Sequence, residues 1–234
     1  ILYLKENEHS LLNYWKIKKI LNTYSDHIST PIIMKKEHTE KKEIINKAIA
    51  LWALPKEDIT QQQYIDFYKH LTSDETNPLY YTHNKVEGNL EYICLLYIPE
   101  KLPYELTYSE KKNGLKLYIQ RIFIMDNVKQ FLPNYLRFIK GILDSNNLSL
   151  NVSRETLQET PYIETLKTAL TNKVFNMLED LKKENNKYEK FWKEFGNILK
   201  EGLAEDYSQK EKIASFFKFS LYYKEKITHF INLD

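Results

Sequence analysis

The sequence predicts a layered α/β fold followed by a helical segment, and three observations carry that expectation. Residues 80–86, 91–98 and 115–124 are dense in Tyr, Ile, Leu and Val, and the turn signals Gly88-Asn89 and Lys112-Asn113-Gly114 separate them. Thr60-Gln61-Gln62-Gln63 is a helix-start signature in which hydroxyl and amide side chains satisfy free N–H groups, and Tyr64, Phe67, Tyr68 and Leu71 then share one face. From Thr160 onward Ile163, Leu166, Leu170, Val174, Met177 and Leu181 recur at spacings of three and four, as a buried helix face requires.

The remaining elements follow in order. Residues 1–4 alternate like the end of a strand, residues 5–9 make a polar turn, and a helix spans 11–24 with Leu12, Trp15, Ile20 and Leu21 near helical spacing. Residues 27–33 read as extended, and the charged run 35–43 reads as a solvated loop or hairpin. The helix opened by Thr60 runs to about Thr72, and three antiparallel strands follow. Asp126 caps a helical segment reaching Phe131, Pro133 starts another that Gly141 ends, and a strand returns over 142–152. Beyond Pro161, at a first helical position, a second helix carries Tyr188, Trp192, Phe195 and Leu199. A third begins at Ser208-Gln209-Lys210-Glu211 and buries Ile213 with Phe216 or Phe217. The expected divisions are 1–24, 25–158 and 159–234.

Composition bounds the function. With 234 residues and 42% hydrophobic side chains the chain can bury a proper core. Its 34 Lys and Arg nearly balance 32 Asp and Glu, so no strong basic field draws it to nucleic acid or to an anionic membrane. No apolar run nears the roughly 20 residues that span a bilayer, and residues 1–5 lack the pattern of a signal peptide. The single Cys94 precludes an internal disulfide and suits a reducing, cytoplasmic setting. Five glycines build no G-x-x-x-x-G-K-S/T or G-x-G-x-x-G phosphate cradle. The six histidines are scattered without metal-ligand spacing, so His70 and His83 read as structural and no metal is expected. The chain holds no complete active site of its own.

One element does point to chemistry. In residues 144–158, Leu148, Leu150 and Val152 alternate with polar residues, Ser153 is a good N-cap, and Glu155 in the first turn complements a helix dipole. Arg154 does not fit that pattern, because a cation at the positive end of a helix gains nothing without an anion opposite. It either pairs locally with Glu155 or Glu159 or reaches outward to a phosphate.

The element Asn151-Val152-Ser153-Arg154-Glu155-Thr156-Leu157-Gln158 resembles the catalytic-arginine loop of the heat-shock protein 90 chaperones. Other segments follow that family in order: Ile45-Asn46-Lys47-Ala48 with Leu51-Trp52, Tyr64 with Phe67-Tyr68-Lys69, His83 to Gly88, Leu96 to Pro99, Leu117 to Asp126 and Leu132 to Phe138. Lys187-Tyr188, Phe191-Trp192 and Leu199 to Gly202 resemble its bacterial branch. The resemblance covers nearly the whole chain and implies the family's middle domain, a large αβα sandwich of the ribosomal-protein-S5-domain-2-like, GHKL-transducer type, followed by a helical bundle segment. Residues 1–24 then correspond to the end of an upstream ATP-binding domain and a connecting helix. A smaller α/β unit and a dimerisation domain lie downstream, so the full-length protein is a homodimer and these residues alone a monomer.

What the resemblance implies is a split ATPase. ATP and Mg²⁺ are held by the upstream domain, Arg154 contacts the γ-phosphate after docking, Gln158 makes a second polar contact, and Asn151 holds the loop's shape. Phe123 and Leu150 form an apolar rest for the docking domain. Partly folded client proteins, and co-chaperones, bind the surface, with Trp52 as the candidate client contact; the same residue also reads as a core tryptophan beneath the Thr60 helix. Two departures stand out. Asn147-Leu148-Ser149 replaces the usual Asp-Leu-Pro, and Ala53-Leu54 replaces Thr-Arg after Trp52. Two other readings compete: a pure protein-interaction module whose arginine is structural, and the related DNA-acting transducer domain of topoisomerases and mismatch-repair ATPases. Arg154 in place of a lysine-bearing loop, together with the near-neutral charge, argues against the latter.

Overall fold

A computed structural model describes residues 3–28, 30–36, 39, 41–46, 49–88, 90–102, 114–146, 148, 161–223 and 226–232. A 3-10 turn over Glu6–Leu12 leads into α1 (Tyr14–Tyr24), capped by the Asn13 side chain, which accepts from the Lys16 N–H at 3.0 Å. The charged run is a hairpin of β1 (Ile33–Lys35) and β2 (Lys42–Ile44), one of the two forms expected. The Glu43 carboxylate on β2 accepts from Tyr14 Oη and pairs with Lys18 Nζ at 3.0 Å, which ties the hairpin to α1.

The core element is a five-stranded sheet in the order β3 (Tyr80–Val86), β4 (Tyr92–Ile98), β7 (Lys140–Ser145), β5 (Leu115–Ile119), β6 (Ile122–Val128). All neighbours are antiparallel except β5 and β7, which run parallel. The single strand expected over 115–124 is therefore a hairpin. Gln120 and Arg121 form its two-residue turn with φ of 50° and 66°, the backbone that a tight primed hairpin turn demands. Asp126 lies within β6 rather than capping a helix; only 3-10 turns follow, at Lys129–Phe131 and Asn134–Leu136. Gly141 is no helix stop either. It sits in β7, where a Cβ would meet the Leu95 carbonyl oxygen at 2.3 Å, so glycine lets β7 lie close against β4.

Alternation along the central strands feeds two cores. Leu95 and Tyr97 of β4, Ile142 of β7 and Tyr118 of β5 face α2 (Gln61–Thr72), which contributes Tyr64, Phe67 and Tyr68. Its start is the expected capping box, with Thr60 and Gln63 side chains each bonding the other's backbone N–H. Cys94, Leu96 and Ile98 of β4, Leu117 of β5 and Leu143 of β7 face the other way, against α3 (Pro161–Lys182) and α4 (Asn185–Glu205). The two long helices thus complete the sheet's second face and share its core, rather than forming a body of their own. After α4 the Asp206 side chain, not Ser208, caps the next turn by accepting from the Gln209 N–H. A short α5 (Lys210–Ala214) buries Ile213, and the chain continues into a hairpin of β8 (Lys218–Tyr223) and β9 (Lys226–Asn232) that the helical pattern did not announce. Among the described residues no helix is long and apolar enough to cross a membrane.

Candidate functional site

Arg154, Asn151, Gln158 and Leu150 lie outside the described residues, whereas the chain on both sides of their segment lies within them. β7, an interior strand, delivers the chain to Ser145, and α3 takes it up again at Pro161. Ser145 Oγ donates to the Glu91 backbone carbonyl at 3.1 Å and lies 2.9 Å from Tyr162 Oη in the first turn of α3. Asn146 Nδ2 donates to the Glu91 carboxylate at 2.9 Å, and Tyr162 Oη also faces the Glu91 carbonyl at 3.5 Å. Both ends of the arginine-bearing segment are therefore fastened at Glu91, just ahead of β4. Leu148 adds an apolar anchor, being buried in the core shared with α3.

Directly behind this stem lies a buried polar relay. Tyr64 Oη on α2 is 2.8 Å from His83 Nδ1, and His83 Nε2 is 2.9 Å from the Trp52 carbonyl. A carbonyl can only accept, so His83 carries its proton on Nε2 and Tyr64 donates to Nδ1. The Trp52 indole N–H donates to Asp144 Oδ2 at 2.8 Å, and the Arg121 backbone N–H donates to the same carboxylate at 3.2 Å. Burial pushes the Asp144 carboxyl above its ordinary value, and the bonds from Trp52 and Arg121 pull the other way. The relay joins α2, β3, the Leu51–Ala53 turn, β7 and the β5–β6 turn, which sets the position from which β7 leads out to the arginine segment.

Trp52 accordingly does not have the exposure a client contact needs. Its side chain is 1% exposed and packs on His27, Phe67 and Tyr118, with ring centroids 4.7, 5.6 and 4.6 Å away. The core reading of this tryptophan is the one its surroundings match: the 3-10 turn rotates the indole inward although Pro55 to Asp58 beside it are exposed. Phe123 is half-buried, held edge-on between Tyr24 of α1 and Tyr118, each at 5.6 Å. It lines a cleft of about 510 Å³ between α1, α2 and the β5–β6 hairpin, together with Trp15, Lys18, His27, His70 and Lys116. Cys94 is buried, and burial pushes its thiol up to about 12, so it offers no nucleophile at neutral pH.

His83 bears out the structural reading of that histidine and has a measurable consequence. Burial depresses its pKa, Lys56 adds to that, and the bond to the Trp52 carbonyl only partly offsets it. The folded state then binds its proton less readily than the unfolded chain, whose imidazole titrates near ~6.5. The stability it contributes is complete above that value and is lost as pH falls toward the lower, folded one. In urea unfolding at pH 8, 6.5 and 5.5, the advantage of the wild type over His83→Gln is expected to shrink steadily as pH falls.

The family profile described as Hsp90 protein matches residues 34–233. Chaperone protein HtpG of Nitrosospira multiformis is 49% identical over 233 residues, covering 93% of this chain and 36% of that protein. Chaperone protein HtpG of Pasteurella multocida is 48% identical over 242 residues, covering 100% of this chain and 38% of that protein. The chain thus spans a little over a third of the length of these curated relatives.

Proposed function

Because the chain belongs to the heat-shock protein 90 family of chaperones, we propose that it is the middle domain of an ATP-dependent chaperone and supplies Arg154 to the γ-phosphate of ATP held elsewhere in the full-length protein. What supports this reading is the Asn151-to-Gln158 sequence element, together with the fastening at Glu91 of the described chain on either side of it, through Ser145, Asn146 and Tyr162. A guanidinium suits the task because it stays charged and its planar fork meets two phosphate oxygens at once. Gln158, four residues on, adds a polar contact, and Asn151 bonds locally to shape the loop. The chain has no glycine-built phosphate cradle, so ATP and Mg²⁺ rest on an upstream ATP-binding domain, and Arg154 acts once the two domains dock. Phe123, at the edge of the cleft beneath α1, and Leu150 are the apolar groups we assign to that docking.

Client proteins, in this reading, meet exposed apolar side chains other than Trp52. The described surface offers Ile33 and Ile44, which are cross-strand partners in the β1–β2 hairpin and are 57% and 64% exposed. Such groups ringed by lysine and glutamate suit partly folded chains, which display apolar surface of their own.

The direct test joins the upstream ATP-binding domain and this chain in one polypeptide, as in the full-length protein, and compares its ATP hydrolysis with that of the nucleotide domain alone. Faster turnover that is lost with Arg154→Ala is the expected result. Equal turnover in all three would leave a protein-interaction module with a structural arginine.

A further inference from the structure

The histidines that look scattered along the sequence converge at one place. Asp26 and His27, just after α1, meet His70 in the last turn of α2, and one ligating atom from each lies within 4.8 Å of the others. Among the described residues this is the one group of three metal-competent side chains so placed. We propose that Asp26, His27 and His70 form a binding site for a divalent transition-metal ion of the Zn²⁺ class, which pins the α1 connection to α2.

The geometry of His27 carries the argument furthest. Its Nδ1 lies 3.3 Å from the Ile49 carbonyl, so Nδ1 holds the proton and Nε2 presents a lone pair. A ligating histidine is typically fixed in this way, by an outer bond from its second nitrogen to a carbonyl or carboxylate. Trp52, Phe67 and Tyr118 pack round the ring and hold it, with Trp52 edge-on at 4.7 Å. Asp26 Oδ2 is 4.0 Å from His27 Nε2 and 3.7 Å from His70 Nε2. Two imidazole nitrogens and a carboxylate oxygen, the donor types a borderline divalent metal takes, thus lie close together.

Spacing and access agree with that assignment. Ligands held ~2.0–2.1 Å from a tetrahedral Zn²⁺ sit roughly 3.3 Å apart, so the three groups, which lie within 4.8 Å of one another, draw together by up to about 1.5 Å on binding. Asp26 and His27 are buried, whereas the His70 side chain is 51% exposed and, with His27, lines the cleft, which gives a way in. Three protein ligands leave a fourth position, which water from the cleft would take. Two imidazoles select Zn²⁺, Co²⁺ or Ni²⁺ over Mg²⁺ and Ca²⁺, which prefer oxygen. Lys18, Lys19 and Lys116 line the same cleft, so the field there does not gather cations; the ligand set must hold the ion. A bound ion would crosslink the segment leaving α1 to α2 and so hold α1 over Phe123.

The test is Co²⁺ titration of this chain, followed by the visible d–d absorption of a protein-bound ion and by competition with Zn²⁺. The wild type is expected to bind one ion per chain, with Zn²⁺ displacing Co²⁺ and raising the melting temperature. His27 lies in the core, so His70→Ala and Asp26→Asn are the informative variants, with circular dichroism confirming that each is folded. Each should weaken binding by at least ~100-fold, the upper end of what losing even an outer-sphere partner costs. Absence of binding below millimolar concentration overturns the site. So does a loss under tenfold in folded His70→Ala, which would place the ion elsewhere.

Discussion

Arg154→Ala in the full-length protein is expected to lower ATP turnover toward the lower end of the roughly 10³- to 10⁵-fold range seen for arginines that reach a transferring phosphoryl group. Nucleotide affinity should change little under the proposed reading, in which the arginine contributes most when charge builds on the γ-phosphoryl oxygens and ATP is held mainly by another domain. A fall in kcat at nearly constant Kd for ATP is therefore the diagnostic pattern. Arg154→Lys separates charge from shape: a lysine keeps the cation but loses the two-pronged fork, so it should restore only a small part of the rate. If Arg154 is instead held by Glu155 or Glu159 within its own fold, both variants will turn over ATP like the wild type and shift stability by no more than an exposed ion pair does, ~0–1 kcal/mol.

How much of this was legible in the chain depends on whether the signal is local. The Thr60 box could be read because cap, helix and face lie within a dozen residues, and the stripes of α3 and α4 because they repeat over several turns. The β5–β6 hairpin was missed because its turn is Gln120-Arg121, without the glycine or asparagine that positive φ usually calls for. Its compensation is tertiary: the Arg121 N–H is satisfied by Asp144 from a different strand. Gly141 misled for the related reason that its role is a close approach between two strands, β7 and β4, which helix-stop chemistry cannot reveal. The meeting of Asp26 and His27 with His70 is invisible to motif spacing, since it is the packing of α2 near the end of α1 that creates it. As for Arg154, residue chemistry alone left it between a local ion pair and a phosphate. The resemblance to a family is what favours the phosphate as the proposal.

The second large effect falls on Trp52, and it follows from a burial the sequence did not decide. Trp52→Ala removes an indole packed on three rings and leaves Asp144 without its closest donor. Loss of packing alone should cost about 3–5 kcal/mol, readable as a fall in the urea midpoint. Trp52→Phe isolates the hydrogen bond: the ring contacts largely survive, and the loss should be about 1–3 kcal/mol, the cost of a buried acceptor stripped of a partner. The pH dependence has a definite sign. Asp144 already has a raised pKa in the folded state, so its contribution falls as pH rises from the unfolded carboxylate value of ~3.9 through the folded one. Removing the indole N–H takes away a bond that lowers that pKa, so the penalty of Trp52→Phe should be larger at pH 7 than at pH 4. Asp144→Asn should remove that pH difference, and the double variant should be less destabilised than the sum of the two single ones, because they share a partner. Were Trp52 instead an exposed client contact, either substitution would leave unfolding unchanged and weaken only the capture of a partly folded protein, which makes the two roles separable in one pair of measurements.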